Sequence, residues 1–141
     1  MHEIIRRLEI TDVTIDVGAV YDAVSDTHAG GIALFVGAVR DHDHGKDVAG
    51  LDYSAHPTAA AVLREVVEKV VAAHDVRAVA AVHRVGRLAI GDVAVVVAVS
   101  CDHRGDAFAA CRVLIDDLKA TVPIWKHQVF SDGAEEWVGT P

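Results

Sequence analysis

The sequence predicts an α+β fold in which about three helices pack on a mixed or antiparallel sheet. Three segments carry apolar residues at helical spacing, strand-like apolar runs lie between them, and these runs come in pairs. Helices interspersed with paired strands are typical of α+β domains. With 141 residues, 52% of them hydrophobic and 24% charged, the chain has the size and balance of one folded domain, residues 1–141.

The first part of the chain is predicted to begin with a strand, a short helix and a second strand. Residues 2–10 alternate well enough for a strand, and Asp16 is a suitable N-cap for the helix that follows. Gly30-Gly31 breaks the helical pattern, and Ile32–Val39 is predicted to be a buried strand. The polar stretch Arg40–Asp47 is then expected to form an exposed and mobile loop.

The middle of the chain is predicted to hold three strands and a long helix. Val48–Ser54 has the composition of a strand, and Pro57 suits the first turn of the helix after it. That helix has an apolar stripe made of Ala59, Leu63, Val66, Val67, Val70 and Val71. Ala78–Val82 and Val93–Val99 are predicted strands, and residues 86–92 between them carry the glycines of a turn region.

A last helix and two strands complete the prediction, so that the order is β-α-β-β-α-β-β-α-β-β. The helix follows His103-Arg104, and Pro123 ends it. Its apolar face is expected to consist of Ala107, Phe108, Cys111, Leu114, Ile115 and Leu118. Ile124–Phe130 is predicted to be a strand, followed by a short one at residues 136–138.

Composition excludes several classes of function. The formal net charge of −8 argues against nonspecific nucleic-acid binding, and 5% aromatic residues argue against a base-stacking surface. The longest apolar run, Val93–Val99, is too short to span a bilayer. Residues 1–10 include four charged side chains, so they lack the apolar core of a signal peptide. We therefore expect a cytoplasmic protein that binds neither membranes nor nucleic acids.

Neither a disulfide framework nor a metal site is expected. The two cysteines, Cys101 and Cys111, do not form a C-x-x-C pair. The run Asp41-His42-Asp43-His44, with His56, superficially resembles a metal cluster, but consecutive loop residues cannot all face one ion. Cys101 lies two residues before His103, which leaves a cysteine nucleophile as an alternative, although no third residue is evident to orient the pair.

Cationic residues near the last helix predict an anion-binding site in this acidic chain. His103 and Arg104 stand at the helix start, where backbone N–H groups and the helix dipole favour an anion. Lys119 and Lys126 lie on either side of Pro123, which could bring their amines together. Fifteen helical residues span roughly 22 Å, so Arg104 and Lys119 belong either to two sites or to one site shared across a two-fold dimer. Each of these residues could also be an ordinary surface charge.

Eight short motifs, in this order, resemble one known family. They are Phe35-x-Gly37-x-Val39-Arg40, Leu51-x-Tyr53, His83-Arg84-Val85-Gly86, Ile90-Gly91-Asp92, His103-Arg104-x-x-Ala107-Phe108, Leu118-Lys119, Val122-Pro123-Ile124-Trp125-Lys126 and Trp137-Val138. By these motifs the sequence resembles the large, catalytic subunit of molybdopterin synthase.

This resemblance implies an α/β hammerhead-type fold and a sulfurtransferase activity. It implies a homodimer that binds a small ubiquitin-like sulfur-carrier subunit at each end, which makes a heterotetramer. The carrier's C-terminal Gly-Gly thiocarboxylate would enter a pocket of the large subunit and supply two sulfurs to cyclic pyranopterin monophosphate. The product is molybdopterin, and the family needs no metal or organic cofactor for this step.

The resemblance also assigns the site. It implies that Lys119 and Lys126 are catalytic, and that the substrate-binding positions are Ala38, Val39, Arg40, His103, Arg104, Lys119, Lys126, His127 and Gln128. Two of these depart from relatives, which often have glutamate in place of Gln128 and in some cases lysine in place of Ala38. The alternative is a noncatalytic anion-binding or scaffold module of the same fold.

Overall fold

The computed structural model describes residues 3–43 and 45–138, which form three helices and nine strands. In chain order the elements are β1 Ile5–Thr11, α1 Val17–Ala23, β2 Gly31–Ala38, β3 His42–Asp43, β4 Lys46–Ala55, α2 Ala59–Ala73, β5 Val76–Arg84, β6 Gly86–Leu88, β7 Val93–Cys101, α3 Arg104–Thr121, β8 Ile124–Phe130 and β9 Glu135–Val138. The predicted α+β class with three helices is confirmed. In the described part of the chain, no helix has the length and apolar character needed to cross a membrane.

The first sheet has the strand order β1-β5-β7-β2 and helices on both faces. β1 runs parallel to β5, and the other neighbours are antiparallel. β5 and β7 consist largely of valine and alanine because both of their faces are buried. Alternate residues such as Val79 and Val97 pack with α2 and α3, whereas Ala80 and Val96 pack with α1.

The second sheet is antiparallel, with the order β3-β4-β8-β9 and the short β6 paired to β4. A small apolar cluster of Val39, Leu51, Leu88 and Ala94, with Tyr53 against it, joins this sheet to the end of the first. α3 packs on the first sheet, and the chain leaves it directly into β8 of the second. The C-terminal end of α3 is therefore held beside β4 and β8.

The structure differs from the predicted topology in three details. The expected single sheet is divided into two, and residues 40–47 form no plain loop, because β3 pairs with the start of β4 as a hairpin. The segment at residues 86–92 contains β6, which pairs with Leu51–Tyr53. Strands of two or three residues have too few side chains for a visible alternation, so only their hydrogen-bonded partners define them. His44 of the predicted loop lies outside the described residues.

The helix predictions were correct for the Asp16 cap and partly wrong for the start of α2 and the buried face of α3. Asp16 caps α1, and its side chain accepts a hydrogen bond from the Ala19 backbone N–H at 3.1 Å. Pro57 lies just before the α2 N-cap, Thr58, and not in the first turn. On α3, Cys111 is buried as expected, but Phe108 is 66% exposed, because the buried stripe runs through Ala107, Ala110, Cys111, Leu114 and Leu118.

Candidate active site

The two lysines predicted to be catalytic lie next to one aromatic ring. Lys119 is in the last turn of α3, and Lys126 is the third residue of β8. Lys126 is the register partner of Tyr53 on β4, so both side chains project from the same face of the antiparallel sheet. The Lys119 Nζ atom lies 5.8 Å from the centroid of the Tyr53 ring. The fold therefore places both amines beside Tyr53.

The surroundings of Lys119 favour its neutral amine. Desolvation lowers the pKa of Lys119, and the positive charge of Lys126 lowers it further. Lys119 as a whole residue remains exposed, but the protein atoms around its ammonium group exclude water from that group. A lowered pKa makes the neutral amine easier to reach, and the neutral amine is the form that accepts a proton.

His83 lies behind Tyr53 and is nearly inaccessible to solvent. Its ring packs edge-on to the tyrosine ring, with the centroids 5.0 Å apart and an angle of 83° between the planes. The Nδ1 atom donates a hydrogen bond to the Arg84 carbonyl oxygen at 2.7 Å. Burial, together with the charge of Lys119, lowers the pKa of His83 to about 4, against the weaker opposing effect of that hydrogen bond. His83 is thus uncharged at neutral pH, and it adds no third positive charge to the lysine pair.

A small cavity of about 150 Å³ opens beside this cluster. Five of the predicted substrate-binding residues line it, namely Ala38, Val39, Arg40, Lys126 and Gln128, together with Tyr53, His42, Asp43, Val48 and Leu51. Pockets that enclose a small-molecule ligand usually measure about 300–1,000 Å³. The cavity in one chain is therefore smaller than a typical ligand pocket.

Gln128 is oriented by two carboxylates. It is 1% exposed, and its Nε2 atom donates hydrogen bonds to Asp43 Oδ2 at 2.8 Å and to Glu136 Oε1 at 3.4 Å. Asp43 also pairs with Arg40, whose guanidinium lies 3.2 Å away and whose side chain is 76% exposed. A glutamate in place of Gln128 would put three carboxylates together in a buried position. The Gln128 amide can therefore donate to both carboxylates, one of which, Asp43, also pairs with Arg40.

His103 and Arg104 do not join this cluster. They stand at the N-terminal end of α3, at the far end of the helix from Lys119, where they line a surface depression with Gly30 and Phe108. The fifteen-residue separation along a continuous helix gives roughly 22 Å, as expected from the sequence. Within one chain these residues and the lysines are two separate cationic places.

His127 is also separated from the cavity. It alternates with Lys126 and Gln128 along β8, so it projects from the opposite face of the strand. There its ring stacks on Trp137 at a centroid distance of 4.4 Å, and its Nε2 atom lies 2.9 Å from Glu135 Oε1. These contacts attach β9 to β8 and leave His127 facing away from the lysines.

Both cysteines are buried, and burial raises the pKa of each thiol. Nearby Asp106 raises the pKa of Cys101 further. A buried thiol with a raised pKa is a poor nucleophile. Across residues 3–43 and 45–138, no group of three or more histidine, cysteine, aspartate or glutamate residues is placed to hold a metal ion; His44, part of the sequence cluster considered above, is outside these ranges.

The comparison with known proteins identifies the family. Residues 10–121 match the family model described as MoaE protein. The chain belongs to the MoaE family. It is 47% identical over 135 residues to the protein of Mycobacterium tuberculosis named molybdopterin synthase catalytic subunit 1, covering 92% of this chain and 88% of that protein.

Two solved structures extend the MoaE comparison to the fold. The crystal structure of molybdopterin synthase from Staphylococcus aureus is similar with a TM-score of 0.86 and 32% identity, over 94% of this chain and 96% of that one. A complex of subunits 1 and 2 of molybdopterin-converting factor from Helicobacter pylori is similar with a TM-score of 0.70, covering 97% of this chain and 90% of that one. At 18% identity the latter supports the fold alone.

Three residues of this MoaE chain contact the site but were not predicted as site residues. Tyr53 and His83 belong to motifs that carried the resemblance, and Asp43 was read as part of a loop. Nothing in local spacing shows that β4 pairs with β8, which brings Tyr53 to Lys126. A signal did exist for His83, because this histidine directly follows the apolar run Ala78–Val82 within a strand.

Proposed function

We propose that this chain acts as the catalytic subunit of molybdopterin synthase and that Lys119 and Lys126 catalyse its sulfur transfer. The chain is an enzyme of molybdenum cofactor biosynthesis, since it belongs to the MoaE family and is 47% identical to a protein named molybdopterin synthase catalytic subunit 1. One observation carries the assignment of the site: two lysines from different elements converge on Tyr53 beside a cavity that Arg40 also lines. In this function residues 1–141 would form a single catalytic domain, and the protein would work in the cytoplasm.

The proposed chemistry needs positive charge and proton transfer at one place. Cyclic pyranopterin monophosphate is a phosphate ester, and the thiocarboxylate of the sulfur carrier is a second anion. Each transfer breaks the acyl carbon–sulfur bond of the carrier, whose acyl carbon takes up an oxygen and becomes a carboxylate. A carbon of the substrate exchanges a carbon–oxygen bond for a carbon–sulfur bond, so sulfur and oxygen change places and no oxidant is needed. The lysines would stabilise the negative charge that develops and move protons, for which the lowered pKa of Lys119 is suitable.

We further propose that the working site is shared between two copies of this chain. The cavity is small, and the cationic pair His103-Arg104 lies at the opposite end of α3 from Lys119. An apolar surface adjoins that pair, since Leu34, Phe35 and Phe108 are exposed along β2, an edge strand of the first sheet, and α3. A second copy that covers this surface would bring its own His103-Arg104 toward a lysine site.

The carrier subunit is the other partner in this proposal. A ubiquitin-like protein with a Gly-Gly tail can thread a narrow opening, because glycine has no side chain to exclude. The Helicobacter pylori relative is a complex of two subunits, and the same pairing here would give a heterotetramer around the homodimer. The carrier's tail would enter beside Lys126 and Tyr53.

A reconstitution tests the proposal. The chain is mixed with thiocarboxylated carrier and cyclic pyranopterin monophosphate, and the dithiolene product is measured. Lys119→Ala and Lys126→Ala should each lower the rate on the order of 100-fold or more, the usual size of a lost acid–base group. Lys69→Ala, a change on the exposed side of α2, is the matched control and should leave the rate unchanged.

The same experiment separates this function from a noncatalytic scaffold. A scaffold would bind the carrier but yield no product with any substrate preparation. Full turnover in either lysine variant would contradict the assignment of the site, even if the wild-type chain makes product.

A further inference from the structure

We propose that Tyr53 is a positioning residue for the lysine site: the face of its ring holds the ammonium group of Lys119, and His83 fixes the ring from behind. This inference rests on the proposed function, because it assigns how the catalytic amine is placed. Nothing in the comparisons gives Tyr53 or His83 a role.

The Tyr53 ring lies between a strand and a helix that each carry one of the two lysines. Two elements bring a lysine to Tyr53: its register partner on β8 is Lys126, and the Nζ atom of Lys119 on α3 lies 5.8 Å from the centroid of its ring. A cation within about 6 Å of a ring centroid is attracted by the negative face of the π-system. Tyr53 is the residue through which a helix-borne amine and a strand-borne amine meet.

The two amines need such a partner. Among the described contacts of Lys119 and Lys126 no ion pair to a carboxylate is present, and Lys126 lowers the pKa of its neighbour. A lysine has four rotatable side-chain bonds, so without a partner its amine samples many positions. The face of the Tyr53 ring limits the positions of the amine, and unlike a carboxylate it does not neutralise the positive charge.

The Tyr53 ring is itself held. His83 is 2% exposed, packs edge-on to Tyr53 at 5.0 Å, and has its own orientation fixed by the 2.7 Å hydrogen bond to the Arg84 carbonyl. Tyr53 also packs against the apolar cluster that contains Leu51 and Leu88. A ring fixed on two sides is a rigid support, and rigid support is what keeps a reacting group in place.

Two substitutions separate the ring from its hydroxyl. Tyr53→Leu keeps an apolar side chain but removes the π-face, whereas Tyr53→Phe keeps the face and removes only the hydroxyl. We expect Tyr53→Leu to lower the rate constant of dithiolene formation about three- to thirtyfold, as loss of a cation–π contact predicts. Tyr53→Phe should recover most of that loss, and the affinity for the carrier should change little in both.

A spectroscopic readout is independent of turnover. The ring shifts the NMR resonances of protons near its face, so the ε-methylene signal of Lys119 should be displaced in the wild-type chain. The signal is assigned by its absence in Lys119→Arg. It should move to the position of a solvent-exposed lysine in Tyr53→Leu and in His83→Leu, and stay displaced in Tyr53→Phe. Tyr21→Leu, at an exposed site on α1, is the matched control.

The outcomes are distinguishable. An unchanged Lys119 signal and unchanged rate in Tyr53→Leu would overturn the inference, and so would equal slowing in the Leu and Phe variants, which would assign the effect to the hydroxyl. If the wild-type chain makes no product, the proposed function fails, while the NMR comparison still decides whether Tyr53 holds the amine.

Discussion

Burial lowers the pKa of both basic residues that lie beside Tyr53. Desolvation is the largest cause for both Lys119 and His83, but only His83 is nearly inaccessible to solvent. His83 is neutral at pH 7, so it can fill an apolar position behind Tyr53 at little cost. Lys119 remains at the surface, where a proton can reach it.

The lowered pKa of Lys119 predicts a reactive amine. At pH 8 an amine-selective acylating reagent should modify Lys119 faster than Lys69, which lies exposed on α2. In Lys126→Ala the pKa of Lys119 should rise, because one of the two effects that lower it is removed, and modification should slow. Peptide mass spectrometry against time measures both rates. Equal rates for Lys119 in the two proteins would mean that the lysines do not interact.

His83 predicts a pH-dependent loss of stability. The unfolded chain binds a proton at His83 below about pH 6.5, whereas the folded chain does so only below about pH 4. Stability is therefore lost as the pH falls through this window of about 2.5 pH units, by about 3 kcal/mol. Urea unfolding of the wild-type chain and His83→Gln at pH 7, 5.5 and 4 measures it. The wild-type chain should lose more than the variant, and parallel curves would contradict the assignment.

At the scale of elements, α3 separates the two cationic places and fixes each at one of its ends. Its C-terminal end presents Lys119 to the second sheet, and its N-terminal end is held tightly against the start of β2. A Cβ atom on Gly31 would lie 2.9 Å from Arg104 Cα, and one on Gly30 would overlap the Asp102 carbonyl oxygen. These two glycines allow the close approach that places His103-Arg104.

Two glycine substitutions test this close approach. Gly31→Ala should lower the free energy of unfolding by about 1–3 kcal/mol, the usual cost of forcing extra atoms into a packed place. Gly105→Ala is the matched control, because a Cβ atom there meets nothing within 4 Å, and alanine favours a helix by up to about 1 kcal/mol. Denaturant unfolding compares them. A Gly31→Ala protein as stable as the wild type would contradict the tight packing.

At the scale of the whole molecule, one chain holds two cationic places, the lysine pair and His103-Arg104, at opposite ends of α3. A site shared across a two-fold axis predicts complementation between defective subunits. Lys119→Ala and Arg104→Ala homodimers should both be inactive, but a mixed dimer contains one site with both residues intact. Mixed dimers purified through two different tags should therefore recover about half of the wild-type rate. Mixed dimers as inactive as either parent would show that the site does not cross subunits.

The sequence alone determined the class of the fold, its three helices and its longer strands, and it predicted which residues carry the chemistry. The apolar periodicity of α2 and α3, the valine-rich β5 and β7, and the cap at Asp16 are local patterns, and the structure confirmed them. The family resemblance was also carried by short motifs, and the comparisons confirmed it. Local patterns predict such features because backbone geometry and capping depend on neighbours in sequence.

Only the tertiary structure decided how these residues are arranged. Lys126, His127 and Gln128 are consecutive residues of β8, but strand pairing separates them. It places Lys126 beside Tyr53 and Gln128 beside Asp43, whereas His127 faces away from the cavity. The spacing of Phe108 predicted a core position, but the side chain is exposed. The buried face of α3 includes Ala110 and leaves Phe108 outside. Register and helix rotation depend on contacts between residues far apart in the chain, which spacing along one segment cannot contain.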